Sequence, residues 1–133
     1  MDYILFMEHE VPITPGEIRA IAARIKRKNT QEQGVLDLRR AKARKIAYEL
    51  AQKIGTSDPE IQEIWGFGSV FELWRKYRMD SDIDLAMTGG NWFSACSLAE
   101  HPEFPVSLID MNDTTAEFNE LLKKNGVLLY ERT

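Results

Sequence analysis

Three aspartates occupy alternate positions, Asp80, Asp82 and Asp84, at the start of an apolar segment that predicts a strand. Because the side chains of a strand alternate between its two faces, this spacing places the three carboxylates on one face. Carboxylates about 5–7 Å apart repel each other by roughly 2–3 kcal/mol at an effective dielectric constant of about 20. A bound Mg²⁺ relieves that repulsion, since it favours carboxylate, water and phosphate oxygens. The spacing alone is equally typical of an acidic loop before a strand.

A glycine–serine pair, Gly68 and Ser69, directly follows the apolar, β-rich segment Ile61–Phe67. A glycine at a strand end lets backbone N–H groups approach a phosphate, and the serine hydroxyl adds a donor. A strand, this pair, a loop and a second strand that begins with Asp82 and Asp84 together predict a nucleotide site.

The surrounding segments predict the elements that position these residues. Thr14 and Glu17 form a capping box with Pro15 in the first turn, which predicts a helix that ends near Asn29. A second helix is expected from about 32 to 54. The expected elements that follow are strands over 61–67, 82–87, 105–111 and 127–131, a helix over 92–100, and a helix from a second capping box at 114–117 to about 124.

These elements predict an α/β (α+β) fold, in which helices pack on a mixed β-sheet and two N-terminal helices precede it. We expect residues 1–30 to form an N-terminal arm and helix, with a short strand or arm at residues 3–7. Residues 31–133 are expected to form a single compact domain.

The composition is that of an ordinary globular domain and excludes several classes of protein. The 133 residues are 44% hydrophobic with a net charge of −4, which suits one small core. We expect no membrane span and no signal peptide, since no long apolar run is present. The single cysteine, Cys96, excludes an internal disulfide and favours a cytoplasmic protein. Two isolated histidines exclude a Cys/His zinc site.

Basic residues are concentrated in the first part of the chain. Residues 1–55 contain eleven Lys and Arg against seven Asp and Glu, whereas residues 56–133 contain six against fourteen. The densest cluster, residues 39–45, fits either a solvated helix face or a surface for phosphates, nucleic acid or an acidic protein. Nucleic acid is the least favoured of these partners.

Four segments, 64–69, 81–86, 104–110 and 126–131, together resemble the minimal nucleotidyltransferase (MNT) domains of the polymerase-beta superfamily. These include the MNT proteins of HEPN/MNT toxin–antitoxin pairs. The resemblance implies that Gly68 and Ser69 bind the phosphates of a nucleoside triphosphate, expected to be ATP. It implies that Asp82 and Asp84 are catalytic and bind Mg²⁺. The implied reaction transfers NMP, with AMP expected, to a hydroxyl of a protein or small molecule, and a small helical HEPN-type protein is the implied partner.

The loop between the two motifs departs from the family pattern. The family usually has ten residues between Gly-Ser and the aspartate pair, and this chain has two more before Asp82. The loop also carries the bulky residues Phe71, Trp74 and Tyr77 in place of a small turn. Such a loop could hold a base or an acceptor, block the site, or bind a partner.

Ser107 occupies the position at which the family carries its third carboxylate, which activates the acceptor hydroxyl. Asp110 matches a non-catalytic acid, and strand parity directs it away from the face of Ser107, so Asp110 is not expected to substitute. Loss of an activating base typically slows a reaction by about 10²–10⁴-fold. Two functions therefore remain open: a nucleotidyltransferase, or a catalytically impaired module that binds a nucleotide or a partner.

Overall fold

The computed structural model describes residues 14–133, and the strand or arm expected at residues 3–7 lies outside them. The elements of the described residues are, in chain order, α1 (Pro15–Ser57), β1 (Ile61–Phe67), a 3₁₀ turn (Gly68–Val70), β2 (Ile83–Gly89), α2 (Trp92–Cys96), β3 (Val106–Asp110), α3 (Ala116–Asn125) and β4 (Val127–Glu131). None of the described helices combines the length and the apolar composition needed to cross a membrane. The strands occupy the predicted segments to within two residues.

The expected break between two N-terminal helices is wrong, because α1 runs without interruption over Pro15–Ser57. Gly34 destabilises a helix by about 1 kcal/mol, which does not outweigh the helical turns on either side. The Thr30 hydroxyl donates to the carbonyl four residues earlier at 2.9 Å, so this polar side chain bonds along the helix instead of ending it. The expected capping box does begin the helix, since Thr14 Oγ1 accepts from the Glu17 N–H at 3.1 Å.

Contacts divide the chain into two units, with the boundary between Val35 and Leu36. In the first unit, the described residues from Pro15 onward are helical, and Ile18 and Ile25 are exposed. The second unit contains the rest of α1 and all the described strands. The motif residues all belong to the second unit.

Within the second unit the strands form a mixed sheet in the order β3-β2-β1-β4. The inner strand β1 is antiparallel to both β2 and β4, whereas β2 and β3 are parallel. Parallel neighbours need a crossover connection, and α2 with its flanking turns lies in that connection. The mixed α/β architecture expected from the order of elements is confirmed.

The sheet buries apolar side chains on both faces. The C-terminal part of α1 covers one face, in a core that includes Leu50, Ile54, Ile64 and Leu85. Helix α3 covers the other face, over a smaller cluster of Ala86, Met111 and Leu122 with the partly buried Trp65, Phe67 and Ile109. Each fully buried aliphatic side chain contributes about 1.5–3 kcal/mol to folding. Trp65 and Phe67 are therefore packing residues, as expected.

Helix α2 ends at Cys96, four residues before the expected end at Glu100. The Asn91 side chain caps it as expected and accepts from the Ser94 N–H at 2.9 Å. The Ser97 hydroxyl donates to the Ser94 carbonyl at 2.7 Å, and the N–H groups that follow bond three residues back. This tighter pattern ends the α-helix early.

Helix α3 begins one residue later than the expected capping box. Thr115 Oγ1 accepts from the Phe118 N–H at 3.1 Å and is the N-cap. The Thr114 hydroxyl instead donates to the Met111 carbonyl at 3.1 Å. Thr114 therefore stabilises the preceding turn and leaves the helix end to its neighbour.

Candidate active site

The sheet pairing brings the glycine–serine turn next to the aspartate motif. Phe67, the last residue of β1, is the antiparallel partner of Asp84 in β2. Gly68 is buried and has a φ of +74°, a conformation that residues with a β-carbon rarely adopt. A β-carbon at Gly68 would also overlap the Asp84 carboxylate. The predicted phosphate-binding and metal-binding positions are therefore adjacent, and the backbone conformation between them favours glycine.

The two carboxylates of the predicted metal pair differ in environment. Asp84 lies in β2 and is half-buried, while Asp82 lies just before the strand and is exposed. Burial of Asp84, together with the negative charges of Asp82 and Glu72, raises its pKa from 3.8 to about 6, against the opposing effect of Arg75. Arg75 thus offsets only part of the cost of ionising Asp84, and a bound metal would supply further positive charge.

Asp80 is not part of this pair. The strand begins at Ile83, so only Asp84 of the three aspartates lies within it, and strand alternation does not align all three on one face. Its side chain is exposed, with a carboxylate oxygen 3.8 Å from Arg78 Nε. The expectation that all three carboxylates share one strand face is therefore wrong.

Sequence reasoning missed a buried acid beside this site, Glu72, which is 5% exposed. Its Oε2 accepts from the Gly68 N–H at 2.5 Å, and its Oε1 lies 3.3 Å from Arg75 Nε. The first of these contacts involves Gly68, which belongs to the predicted phosphate position. An irregular loop has no periodicity, so no pattern in the sequence distinguishes Glu72 from a solvated acid.

Arg40 of α1 anchors the loop that contains Glu72. Its Nε donates to the Ser69 carbonyl at 2.8 Å, and its Nη2 donates to the carbonyls of Glu72 and Arg75, both at 3.1 Å. One guanidinium therefore satisfies three loop carbonyls, which a planar fork with several donors does well. The loop is held through its backbone.

Its neighbours in the basic cluster also have structural partners. Arg39 donates to the carbonyls of Met79 and Glu103 at 3.2 and 3.0 Å, and Lys42 pairs with the Glu103 carboxylate at 2.8 Å. The sequence left two interpretations open for residues 39–45, a solvated helix face or a ligand-binding surface. Arg39 and Arg40 fit neither of them, because their guanidinium groups bind carbonyl oxygens of the protein and hold α1 to the loops near the site.

Arg40→Ala is expected to lower the free energy of unfolding by about 2 kcal/mol, since charge-assisted hydrogen bonds to three carbonyls are lost. Lys45→Ala is the matched control, because Lys45 lies in the same helix with its side chain exposed. Urea unfolding measures both variants. Equal stabilities for the two variants would contradict the anchoring role of Arg40.

The aromatic residues of the loop are divided between the core and the surface. Phe71 and Tyr77 are buried, and the Phe71 ring packs so closely on Gly66 that a β-carbon there would overlap it. Trp74 is 70% exposed. It contributes to a cleft of about 220 Å³, which is otherwise lined by Phe67, Glu72, Arg75, Phe118, Leu121, Leu122 and Asn125. The loop thus opens an apolar cleft beside Glu72.

Ser107 lies next to Asp84, where the family resemblance puts the third carboxylate. The parallel register of β2 and β3 pairs Asp84 with Ser107 and Met87 with Asp110. The Asp110 carboxylate accepts from the Asn112 N–H at 3.0 Å, which closes a local turn. Asp110 is thus three residues along β3 from the position beside Asp84, on the opposite strand face.

Within residues 14–133, no group of three or more His, Cys, Asp or Glu side chains is arranged to hold a metal ion. The predicted metal donors remain the two carboxylates of Asp82 and Asp84. Two carboxylates fit Mg²⁺, which takes its remaining ligands from water and substrate phosphates.

No protein-family model and no curated protein matches this sequence. Solved structures do match its fold. A toxin–antitoxin complex with AMP-PNP is 23% identical over 65% of this chain and 74% of the other, with a TM-score of 0.51. A mutant of the MntA-HpeT toxin–antitoxin is 20% identical over the same shares, with a TM-score of 0.50. A candidate nucleotidyltransferase from Sulfolobus solfataricus is 22% identical over 70% and 84%, with a TM-score of 0.49.

At these identities the likeness concerns the fold. The described residues have a mixed α/β fold, and they share it with the chains of the two toxin–antitoxin structures.

Proposed function

We propose that this chain is a nucleotidyltransferase that binds a Mg²⁺–nucleoside triphosphate at Gly68, Ser69, Asp82 and Asp84. It transfers NMP to a hydroxyl group of a protein or small molecule. The observation that carries this proposal is the close approach of Gly68 to Asp84, which leaves no room for a β-carbon. That approach sets a backbone N–H suited to phosphate beside a carboxylate suited to a metal.

Asp82 and Asp84 would hold the Mg²⁺ ion. When bound, the ion would neutralise negative charge on the phosphates and on the oxygens that enter and leave. The raised pKa of Asp84 supports this assignment, because the pair lacks a full counter-charge within the protein.

In the reaction, the acceptor oxygen forms a bond to the α-phosphorus, and the bond from that phosphorus to the bridging oxygen breaks. Pyrophosphate leaves with the bridging oxygen and its electron pair. Gly68 and Ser69 bind and orient the departing phosphates through the backbone and the hydroxyl. The acceptor proton needs a base, and the β3 residue beside Asp84 is Ser107, a hydroxyl. We expect solvent to take that proton, which makes transfer slow.

AMP is the nucleotidyl group we favour, and a small helical HEPN-type protein is the partner that would carry the acceptor hydroxyl. The motif resemblance to the MNT branch supports both assignments. The shared fold adds weight, because one of the matching solved structures is a toxin–antitoxin with AMP-PNP, an adenine nucleotide.

The second candidate function is a module that binds a nucleotide or a partner without transfer. Ser107 favours it, since the position beside Asp84 lacks a carboxylate. So does the absence of a third metal-binding acid within residues 14–133. Calorimetry with Mg²⁺–ATP distinguishes the two candidates when it is combined with a transfer assay, because the module gives heat without transfer.

Asp82→Ala is expected to lower transfer of label from α-labelled ATP to the partner by about 10²-fold or more, since half of the metal pair is lost. The full chain is incubated with Mg²⁺, labelled ATP and a small helical HEPN-type protein as the candidate acceptor. Asp80→Ala is the matched control, because Asp80 is exposed and outside the pair. Equal labelling by the two variants would contradict the assigned site, and no labelling by wild type with any nucleotide would contradict transfer.

A further inference from the structure

Glu72 is unusual among the acids of residues 14–133, because its carboxylate is buried in an irregular loop. Burial of a charge is unfavourable unless the charge is paired and hydrogen-bonded. Glu72 meets that condition with two partners, the Gly68 N–H at 2.5 Å and Arg75 Nε at 3.3 Å. A backbone N–H at a glycine turn and a guanidinium are also the groups with which proteins bind phosphate.

The backbone of the loop has an anchor other than the Glu72 side chain. Arg40 holds the backbone at Ser69, Glu72 and Arg75 through their carbonyl oxygens. The Glu72 carboxylate also contacts Gly68, the same glycine that the Asp84 carboxylate closely approaches. Two carboxylates that converge on one glycine repel each other, and the Arg40 anchor alone does not explain why Glu72 lies there.

We propose that, in the nucleotide-free protein, Glu72 occupies the anion position that a phosphate oxygen of the triphosphate takes on binding. This inference rests on the proposed function and deepens it, since it makes Glu72 the residue that sets nucleotide affinity. The carboxylate satisfies the Gly68 N–H while no ligand is bound. A triphosphate must displace the Glu72 carboxylate, because the Gly68 N–H cannot donate to the carboxylate and to a phosphate oxygen at the same time.

Displacement needs little rearrangement of the backbone. Glu72 turns its side chain away from Gly68, and the loop stays anchored by Arg40. Arg75 is half-exposed, so its guanidinium is free to exchange the carboxylate for a phosphate oxygen. The cleft lined by Phe67, Trp74 and Arg75 also borders Glu72 and offers space for the displaced side chain.

Two substitutions test the charge of the Glu72 side chain and its length separately. Glu72→Gln keeps the length and removes the charge, whereas Glu72→Asp keeps the charge and shortens the side chain by one methylene. Both should weaken the hold on the Gly68 N–H. Asp80→Asn is the matched control, since it removes one charge from the same loop at an exposed position. Circular dichroism and thermal unfolding establish that each variant is folded.

The measurement is calorimetric affinity of the full chain for Mg²⁺–ATP and for inorganic tripolyphosphate with Mg²⁺. We expect both Glu72 variants to bind both probes about tenfold more tightly than wild type, and Asp80→Asn to bind like wild type. The Gly68 amide proton, followed by NMR, should shift upfield in Glu72→Gln. Added tripolyphosphate should shift that proton in every folded form.

The following outcomes would contradict either the inference about Glu72 or the proposed function. Unchanged or weaker binding by both Glu72 variants, with wild type binding, overturns the inference and leaves the proposed function standing. Tighter binding by Glu72→Gln alone also overturns it, because long-range charge then suffices without occupation of the donor. Absence of binding by wild type and by all variants contradicts the proposed function itself, and the inference falls with it.

Discussion

Ser107→Asp is expected to accelerate nucleotidyl transfer by about 10²–10⁴-fold, the range that a positioned general base supplies. Ser107 and Asp84 are direct partners in the parallel register of β2 and β3. Lateral partners on neighbouring strands project to the same face, so the new carboxylate would stand beside Asp84. A carboxylate accepts a proton at neutral pH, whereas a serine hydroxyl does not.

The assay compares single-turnover transfer from labelled ATP to the same acceptor, with Mg²⁺ in excess. Ser107→Asn is the matched control, because asparagine has nearly the shape of aspartate and no basic oxygen. We expect its rate to stay within about threefold of wild type. Equal acceleration by both substitutions would show that shape rather than proton transfer is limiting. No acceleration by either would place the base elsewhere or remove transfer from this protein.

The prediction of the fold from sequence succeeded where side-chain periodicity and turn residues both point to one structure. The segment Ile61–Phe67 was predicted as a strand and is a strand in the structure. It ends before Gly68, because glycine tolerates the positive φ that breaks the strand there. Helix α1 was divided wrongly, because the polar residues around Thr30 resemble a helix end in isolation. Local propensity is weak against the continuity of a long helix.

The two motifs of the candidate site were predictable from the sequence, but the contacts that surround them were not. Gly68 and Asp84 are adjacent because the two strands that carry them, both predicted from the sequence, pair in the sheet. Glu72 and Arg40 belong to the network through loop geometry that depends on tertiary contacts. The sequence shows Arg40 as one of several basic residues on a helix, and nothing there indicates that it binds three carbonyls.

Asp84→Asn is expected to stabilise the metal-free protein at pH 7.5 by about 1–2 kcal/mol and to leave its stability unchanged near pH 3.5. Burial raises the pKa of Asp84 from 3.8 to about 6, so the folded state binds more protons than the unfolded state between these values. Wild-type stability therefore falls as pH rises through this window. The full shift corresponds to about 3 kcal/mol, and solvent screening at a half-buried group reduces it.

Urea unfolding in a metal chelator at the two pH values measures this difference, with Asp80→Asn as the exposed control. A stabilisation of Asp84→Asn that is equal at both pH values would exclude ionisation as its cause.

Added Mg²⁺ should reverse the order of stability of wild type and Asp84→Asn at pH 7.5, because the metal binds two ionised carboxylates in wild type and only one in the variant. Protons and Mg²⁺ compete for Asp84, so the affinity of wild type for Mg²⁺ should rise as pH increases through about 6. A Mg²⁺ affinity independent of pH between 5 and 7, values that lie about one unit on either side of that pKa, would place the metal away from Asp84. Asp84 is thus expected to destabilise the metal-free protein and to stabilise the Mg²⁺-bound protein.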